Sequence, residues 1–375
     1  MWSQANSKCS LMIAGGGTGG HVLAGVAIAD AWKTKFGRSA RIMFVGAQGG
    51  IEKTLVPRAG YKLSLLKLGA LKGVGIRRQI KTIVWLPLAF VRSIWIILRF
   101  RPAAVVGVGG YASGPLVLAA CFFKFSFILK CKTAILEQNS VPGFTNRLLG
   151  KVVQHIFCAF PGSADGFSGG RATITGNPVR SSITRMPPAS RDPFTILVFG
   201  GSQGSVPINT MVINSFPFLK DILGNIKFIH QTGEKDYDRV LAAHLDAGTN
   251  ARVEKFIYDM PAAYQGASLV ICRAGSSTLA EIAAVGRATI LIPFPEASDE
   301  HQRKNAEVFA EAGAAKLLPQ SIETATPASG GNALAALVRE LKQDVSQIEK
   351  MEHAVIRFYR PEAAVGIVNT MIAAE

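Results

Sequence analysis

The chain is short of acid, of paired cysteine and of long apolar runs, and each shortage narrows what it can be. It carries 25 Asp and Glu against 41 Lys and Arg, a net charge of +16. An excess of that size implies an anionic partner: nucleic acid, anionic lipid or a phosphorylated substrate. The five cysteines (Cys9, Cys121, Cys131, Cys158, Cys272) are odd in number and include no C-x-x-C pair. They read as free thiols in a reducing compartment rather than as a disulfide framework. No His/Cys cluster has metal-ligand spacing, so no metal ion is expected. Asp236-Tyr237-Asp238 has the form of a metal-binding D-x-D but lies in a charged helical stretch and reads as solvated surface. The most apolar stretch, 83–98, is broken by Pro87 and Arg92 and is too short to span a bilayer comfortably. No apolar leader precedes the first glycine cluster, so no secretory signal is expected. No glycine cluster is followed by Gly-Lys-Ser/Thr, which removes a triphosphate P-loop from consideration.

What is present in quantity is glycine, placed directly after short apolar runs. Leu11-Met12-Ile13-Ala14 leads into Gly15-Gly16-Gly17-Thr18-Gly19-Gly20-His21. Ala103 to Val106 leads into Gly107-Val108-Gly109-Gly110-Tyr111-Ala112-Ser113-Gly114, and Thr195 to Phe199 into Gly200-Gly201-Ser202-Gln203-Gly204. A strand running straight into glycines brings bare backbone N–H groups up to an anion, and the helix that follows adds its positive end. Such turns in both halves imply two facing α/β domains with a phosphorylated ligand between them. At 375 residues, with 49% apolar and 18% charged residues, two well-packed domains are also the expectation from size.

Apolar runs alternate with amphipathic ones, the βαβα pattern of doubly wound parallel sheets. Strands are expected at 10–14, 41–45, 103–108, 133–137 and 154–158, then at 195–199, 226–231, 252–256, 268–272, 288–292 and 314–318. Helices are expected at 20–36, 51–58, 76–100, 113–124 and 143–150, then at 205–219, 235–247, 261–265, 277–285, 300–312 and 331–343. A seam is expected in the proline-rich stretch 176–193, giving domains 1–179 and 180–357, with a terminal helix in 358–375 crossing back to the first. Between Leu71 and Pro102 lie Lys72, Arg77, Arg78, Lys81, Arg92, Arg99 and Arg101, with Trp85, Trp95 and no acid. The stretch 121–130 again mixes phenylalanine with lysine. Both suit an interface with anionic phospholipid, apolar at the centre with cations reaching headgroups; the alternative is a buried helix and strand with solvated cations.

Three motifs bear on chemistry. Gly15, Gly17 and Gly20 satisfy G-x-G-x-x-G, but the next strand ends Phe44-Val45-Gly46-Ala47-Gln48 without the acid that would hold a dinucleotide ribose. His21 falls in the first turn of the following helix, where the dipole disfavours imidazolium. A neutral imidazole there either takes a proton from a sugar hydroxyl or merely orients the loop. Arg273-Ala274-Gly275-Ser276-Ser277-Thr278-Leu279-Ala280-Glu281 reads as strand, turn and helix. Thr278 and Glu281 fit a capping box; equally, the hydroxyls and amides would face a diphosphate while Glu281 accepts the hydroxyls of a ribose.

Eight blocks then occur in order: GGGTGGH, GVGGYASGP (107–115), LEQNSVPGFTNRLL (136–149), GNPVR (176–180), GGSQG (200–204), FIYDMPAAY (256–264), RAGSSTLAEIAAVG (273–286) and HQRKNA (301–306). Together they resemble the N-acetylglucosaminyltransferases of peptidoglycan synthesis, the MurG family, over about residues 9–318. That resemblance implies a GT-B fold, two Rossmann-like domains with the active site in the cleft. It implies inverting transfer of GlcNAc from UDP-GlcNAc to the C4 hydroxyl of the muramoyl sugar of lipid I, giving lipid II, with no cofactor. By resemblance, Arg180 and Ser202 touch the donor diphosphate, Ile257 packs on uracil, and Ser276, Ser277, Thr278, Leu279, Ala280 and Glu281 hold phosphate and ribose. Gln302 binds GlcNAc hydroxyls; Thr18, Gly19, Gly20 and Asn139 line the meeting point of donor sugar and acceptor; His21 is the candidate base. Implied partners are the cytoplasmic leaflet of the cell membrane, where the protein would be peripheral, and other cell-wall synthesis proteins, but no nucleic acid.

Four departures from the family pattern stand out. Leu136 occupies a place where relatives carry histidine, Ala24 one where proline is usual, and Ser205-Val206 follow GGSQG in place of Ala-Arg. The segment Glu296 to Glu300 is acidic. The rival readings are a GT-B enzyme with another lipid acceptor and a silent, membrane-bound nucleotide-sugar-binding scaffold; His21, Asn139 and Glu281, whose loss would mark the latter, are all present.

Overall fold

The computed structural model describes residues 9–68, 76–124, 129, 131–295, 297, 300–320 and 327–373. The chain divides into two compact units, 1–181 with 360–375, and 182–359.

The first unit runs β1 (Ser10–Gly15), α1 (Gly19–Phe36), β2 (Arg41–Ala47), α2 (Glu52–Arg58), β3 (Lys62–Leu66), α3 (Ile76–Phe100), β4 (Ala104–Gly109), α4 (Ser113–Lys124), β5 (Lys132–Glu137), α5 (Phe144–Leu149), β6 (His155–Cys158), α6 (Pro161–Ala164) and β7 (Ala172–Ile174). Its seven strands are all parallel, in the order β3-β2-β1-β4-β5-β6-β7. Strand β1 is apolar on both faces because it lies in the middle of the sheet with helices on either side. Leu11 and Ile13 point into one core with Trp32 of α1, while Met12 and Ala14 point into another with Ile97 of α3 and Leu116 of α4.

The second unit runs β8 (Phe194–Phe199), α7 (Val206–Ser215), β9 (Ile226–Gln231), α8 (Tyr237–Asp246), β10 (Asn250–Glu254), α9 (Met260–Gly266), β11 (Leu269–Cys272), α10 (Ser276–Val285), β12 (Thr289–Leu291), α11 (His301–Glu311), β13 (Lys316–Leu317), α12 (Pro327–Gln343) and α13 (Val345–Val355). Its parallel sheet has the order β10-β9-β8-β11-β12-β13. The last helix, α14 (Ala363–Ile372), belongs to the first unit, where Ile367, Val368 and Met371 join the core beneath α1.

In each sheet the winding reverses between two central strands: β1 and β4 in the first, β8 and β11 in the second. In such sheets the crevice beyond the carboxyl ends of the strands at the reversal is where ligands bind. All three glycine clusters and the 273–281 turn fall at those four strand ends.

Several elements differ from the sequence reading, the short helix α6 among them. β3 is a half-buried edge strand, and β7 is a three-residue strand at the opposite edge; neither has an apolar run to announce it. The helix expected over 205–219 stops as α-helix at Ser215 and ends in a tighter 3-10 turn at 216–219. Pro217 has no N–H to donate to Ile213 O, so the regular ladder ends there.

Candidate active site

At the reversal point of the first sheet the two glycine turns lock together. Gly16 N–H donates to Gly109 O (3.3 Å), and Gly110, at φ +81°, lies so close to Gly16 O that a Cβ there would overlap it. The Ser113 hydroxyl lies 2.8 Å from both Ala14 O and Gly109 O and accepts from Gly109 N–H (3.2 Å), tying β1 to β4. Thr18 is the N-cap of α1, with Gly19, Gly20 and His21 in its first turn. His21 Nδ1 is 3.2 Å from Thr18 Oγ1 and 3.3 Å from Gly16 O. A Cβ on Gly109 would fall 2.8 Å from His21 Nε2, so glycine is what lets the ring lie over this turn.

The turn after β5 is held by Glu137, which is buried. It accepts from Asn139 N–H (2.9 Å), Asn139 Nδ2 (3.3 Å), Gly143 N–H (3.0 Å) and Asn146 Nδ2 (2.8 Å). Burial pushes the Glu137 carboxyl above the usual carboxylate range, and those four donors pull against it. Gln138 donates to Val108 O (2.8 Å), so this turn also braces the second glycine cluster. Asn139 is half-buried at the tip. Leu136 is fully buried in the core against Ala134 and Phe157, where an apolar side chain suits the surroundings.

In the second unit, Gln231 at the end of β9 ties two turns together. Its Nε2 donates to Gly201 O (2.8 Å) and its Oε1 accepts from Ile257 N–H (3.0 Å). Gly204 and Gly233 each pass so close to the opposite backbone that a Cβ would overlap it. Ser202 is half-buried on this turn, and Ile257 is buried beside the exposed Tyr258.

Helix α10 begins at Ser276 with Gly275 as its cap, so Thr278 is the third helical residue and Glu281 the sixth. The capping-box reading of Thr278 and Glu281 therefore fails, because the helix starts three residues too early for it. Glu281 is buried and accepts from the Tyr264 hydroxyl (3.2 Å). Ser276, Ser277, Thr278 and Ala280 are half-buried, whereas Leu279 packs inward. Arg273, also buried, donates to Ile292 O (3.0 Å), Pro293 O (2.9 Å), Ser205 Oγ (2.8 Å) and Gln320 Oε1 (3.0 Å). Burial pulls its pKa down to about 10. Ser205 thus has two tasks: it accepts from Arg273 and it caps α7 through Ile208 N–H (3.5 Å). Gln302, in the first turn of α11, accepts from Phe294 N–H (3.1 Å). Arg180 lies at the end of the first unit, not in the second where the sequence boundary put it.

The D-x-D reading needs correction. Asp238 is exposed, but Asp236 is buried, accepting from Asn209 Nδ2 (2.7 Å) and pairing with Arg239 (2.7 Å). Asn209 Oδ1 faces His230 Nε2 (3.1 Å), and His230 Nδ1 faces His244 Nε2 (3.1 Å). This buried network stands behind the carboxyl end of β9 and holds Thr232 O through Asn209 Nδ2 (3.0 Å).

Residues 11–158 match the glycosyltransferase family 28 N-terminal domain and residues 195–365 the glycosyltransferase family 28 C-terminal domain. The chain belongs to glycosyltransferase family 28. It is 42% identical over 366 residues to the UDP-N-acetylglucosamine–N-acetylmuramyl-(pentapeptide) pyrophosphoryl-undecaprenol N-acetylglucosamine transferase of Syntrophus aciditrophicus (strain SB), covering 97% of this chain and 98% of that one. The enzyme of the same name from Myxococcus xanthus (strain DK1622) is 42% identical over 94% of this chain and 90% of its own. The crystal structure of Acinetobacter baumannii MurG matches with a TM-score of 0.74 and 28% identity, covering 96% of this chain and 99% of that one. The two units are thus the parallel-sheet domains of a GT-B glycosyltransferase.

One surface of this family 28 chain is distinctive. From residue 84 onward, α3 exposes Val84, Leu88, Val91, Trp95 and Leu98, the three-and-four spacing of a single helical face. Leu118 and Phe122 of α4, which packs beside α3, are exposed too. Arg92 and Arg99 flank the stripe, with Arg99 over the Trp95 ring (5.5 Å). Residues 71–75, 125–128, 130, 296, 298 and 299, which carry parts of the two cationic–aromatic stretches and of the acidic segment, lie outside the described residues. Among the described residues no helix is long and apolar enough to cross a membrane.

The sequence reading passed over Glu52, Gln231, Tyr264 and the His230–His244 pair, since the partners of each are distant in sequence. The only local trace of such packing is glycine in unusual number around Glu52. The histidine pair makes a testable difference. Burial drives His230 down to about 3 and His244 down to about 4, so both rings are neutral in the folded chain, whereas an unfolded histidine protonates near pH 6.5. Their contribution is therefore full above about pH 6.5 and is lost as pH falls toward the folded values, by up to about 1.4 kcal/mol per pH unit per ring. Urea unfolding between pH 7.5 and 5 is expected to show this decline, halved in His244→Gln; a flat profile would contradict it.

Proposed function

We propose that the chain moves GlcNAc from UDP-GlcNAc to the C4 hydroxyl of the muramoyl sugar of lipid I, inverting the anomeric centre and releasing lipid II and UDP. The observation that carries this reading is the start of α10. At the reversal point of the second sheet it gathers free-ended helix amides, three hydroxyls and, one turn in, a buried carboxylate. Amides and a helix's positive end suit a diphosphate; a carboxylate at that depth suits a ribose diol. The near full-length likeness to enzymes named for this transfer supports the same substrates.

In this reading Ser276 to Ala280 and Ser202 hold the diphosphate, and Glu281, steadied by Tyr264, accepts the ribose hydroxyls. Uracil rests against the backbone of Ile257, since that side chain is buried. Gln302 takes GlcNAc hydroxyls through its amide nitrogen, its oxygen being engaged by Phe294 N–H. Thr18, Gly19, Gly20 and Asn139 position the acceptor. His21 Nε2 removes the C4 hydroxyl proton as that oxygen attacks C1. The bond from C1 to the diphosphate oxygen breaks with its electron pair on UDP, where Arg180 and the α10 dipole stabilise the charge.

The acceptor's polyprenyl chain stays in the membrane, so the enzyme works at the surface. The exposed stripe of α3 with Arg92 and Arg99 fits peripheral binding to the cytoplasmic leaflet, apolar side chains entering and cations meeting headgroups. Replacing Val84, Leu88 and Trp95 together with serine should lower binding to anionic vesicles at least tenfold, since each buried side chain contributes about 1.5–3 kcal/mol. Vesicle co-sedimentation unchanged in that variant would show that this surface does not bind the membrane.

The reaction itself is tested by UDP release from UDP-GlcNAc with and without a short-chain lipid I analogue. Release that requires the analogue, with a disaccharide product, is the expected result. UDP-GlcNAc binding without release would point to another lipid acceptor or a silent scaffold.

A further inference from the structure

We propose that Glu52 is a positioning residue for the transfer: through the Gly16–Gly17 peptide it fixes the ring proton of His21 on Nδ1, making Nε2 the basic atom. The proposal rests on the reading of His21 as the base and deepens it. Glu52 opens α2 and is fully buried (0% exposed). Its Oε1 accepts from Ala47 N–H at the end of β2 (2.7 Å), and its Oε2 accepts from Gly17 N–H in the first glycine turn (2.9 Å). No salt bridge to it occurs among the described residues. The space for it is made by three glycines: a Cβ on Gly16, Gly46 or Gly50 would overlap its side chain.

The geometry makes the carboxylate a relay to His21. Gly17 N–H and Gly16 C=O are the two ends of one peptide plane, so the group that holds the N–H also sets where the carbonyl points. That carbonyl oxygen lies 3.3 Å from His21 Nδ1. A carbonyl oxygen only accepts, so the contact requires the proton on Nδ1. The Thr18 hydroxyl, 3.2 Å from the same nitrogen, can donate or accept and does not decide the matter. A negative charge at the N–H end also polarises the peptide and strengthens the carbonyl as an acceptor. The other side of the turn is held by Gly16 N–H on Gly109 O (3.3 Å).

Burying a carboxylate without a cation is costly, and two backbone donors alone would be served by any acceptor. Only a carboxylate accepts with both oxygens. Glutamine fills the same volume, but its NH2 would face one of the two N–H groups, leaving either Ala47 or Gly17 without an acceptor. Turning the Gly16–Gly17 peptide away would release Nδ1 and let the proton move to Nε2. There His21 would donate a hydrogen bond instead of taking a proton.

The direct test is the ring 15N spectrum of His21 in the full-length protein, assigned by comparison with His21→Ala, at a pH where the ring is neutral. The expected pattern is a protonated Nδ1 and an unprotonated Nε2; a protonated Nε2 would overturn the proposal without any variant at position 52. In Glu52→Gln the two tautomers should mix. Its kcat should fall about tenfold while KM for UDP-GlcNAc changes less than about twofold, the donor being held elsewhere. Glu52→Asp, which keeps both acceptor oxygens, should recover part of the loss and serves if the glutamine variant does not fold. An unchanged tautomer and kcat in folded Glu52→Gln would contradict the relay, as would Glu52→Asp losing as much as Glu52→Gln. Adding Glu52→Gln to His21→Ala should cost nothing further. If His21→Ala keeps full activity, the reading of His21 as base fails on its own, and the spectrum still decides whether Glu52 sets the ring.

Discussion

Both units depend on one constraint: backbone must reach the carboxyl ends of the central strands with nothing projecting from it. Gly110 against Gly16 O, Gly204 against Thr232 O and Gly233 against Gln203 O are approaches at which no Cβ fits. All three glycines have positive φ. The parallel order of each sheet puts these turns where the winding reverses. The result is a surface of N–H groups and helix starts suited to anions, produced by fold geometry rather than by cations.

Turns rich in glycine are floppy unless something holds them, and a set of buried polar side chains here does that. Ser113 ties β1 to β4, Glu137 and Gln138 bind the β5 turn to the second glycine cluster, and Gln231 joins the Gly201 turn to Ile257. Arg273 does the same for the turns after β11 and β12, reaching Ser205, Ile292 and Pro293. Glu52 differs in bracing a turn whose carbonyl faces His21. The pattern gives Ser205 its place: its hydroxyl accepts from Arg273 and caps α7.

The sequence made the doubly wound α/β plan and the family visible, because central parallel strands are continuous apolar runs and the glycine clusters follow them directly. It made α3 visible through its length and spacing. It did not reveal β3 or β7, which are edge strands without such runs. It left Thr278 and Glu281 open between a cap and a diphosphate–ribose site, since a hydroxyl and an acid three apart occur in a helix interior as readily as at its start. It misread Asp236 as solvated, since Arg239 neutralises it and Asn209 donates to it from neighbouring elements. Glu52 was illegible for the same reason: its decisive partner is 35 residues away.

On the proposed function, the donor is held by the turns at the carboxyl ends of β8 and β11 in the second unit. Amide hydrogen exchange of the full-length protein with and without UDP-GlcNAc tests it most directly. Protection should rise at 200–204 and 273–281, most strongly at the start of α10. Protection confined to the first-unit turns 15–20 and 107–114, with the start of α10 unchanged, would contradict it.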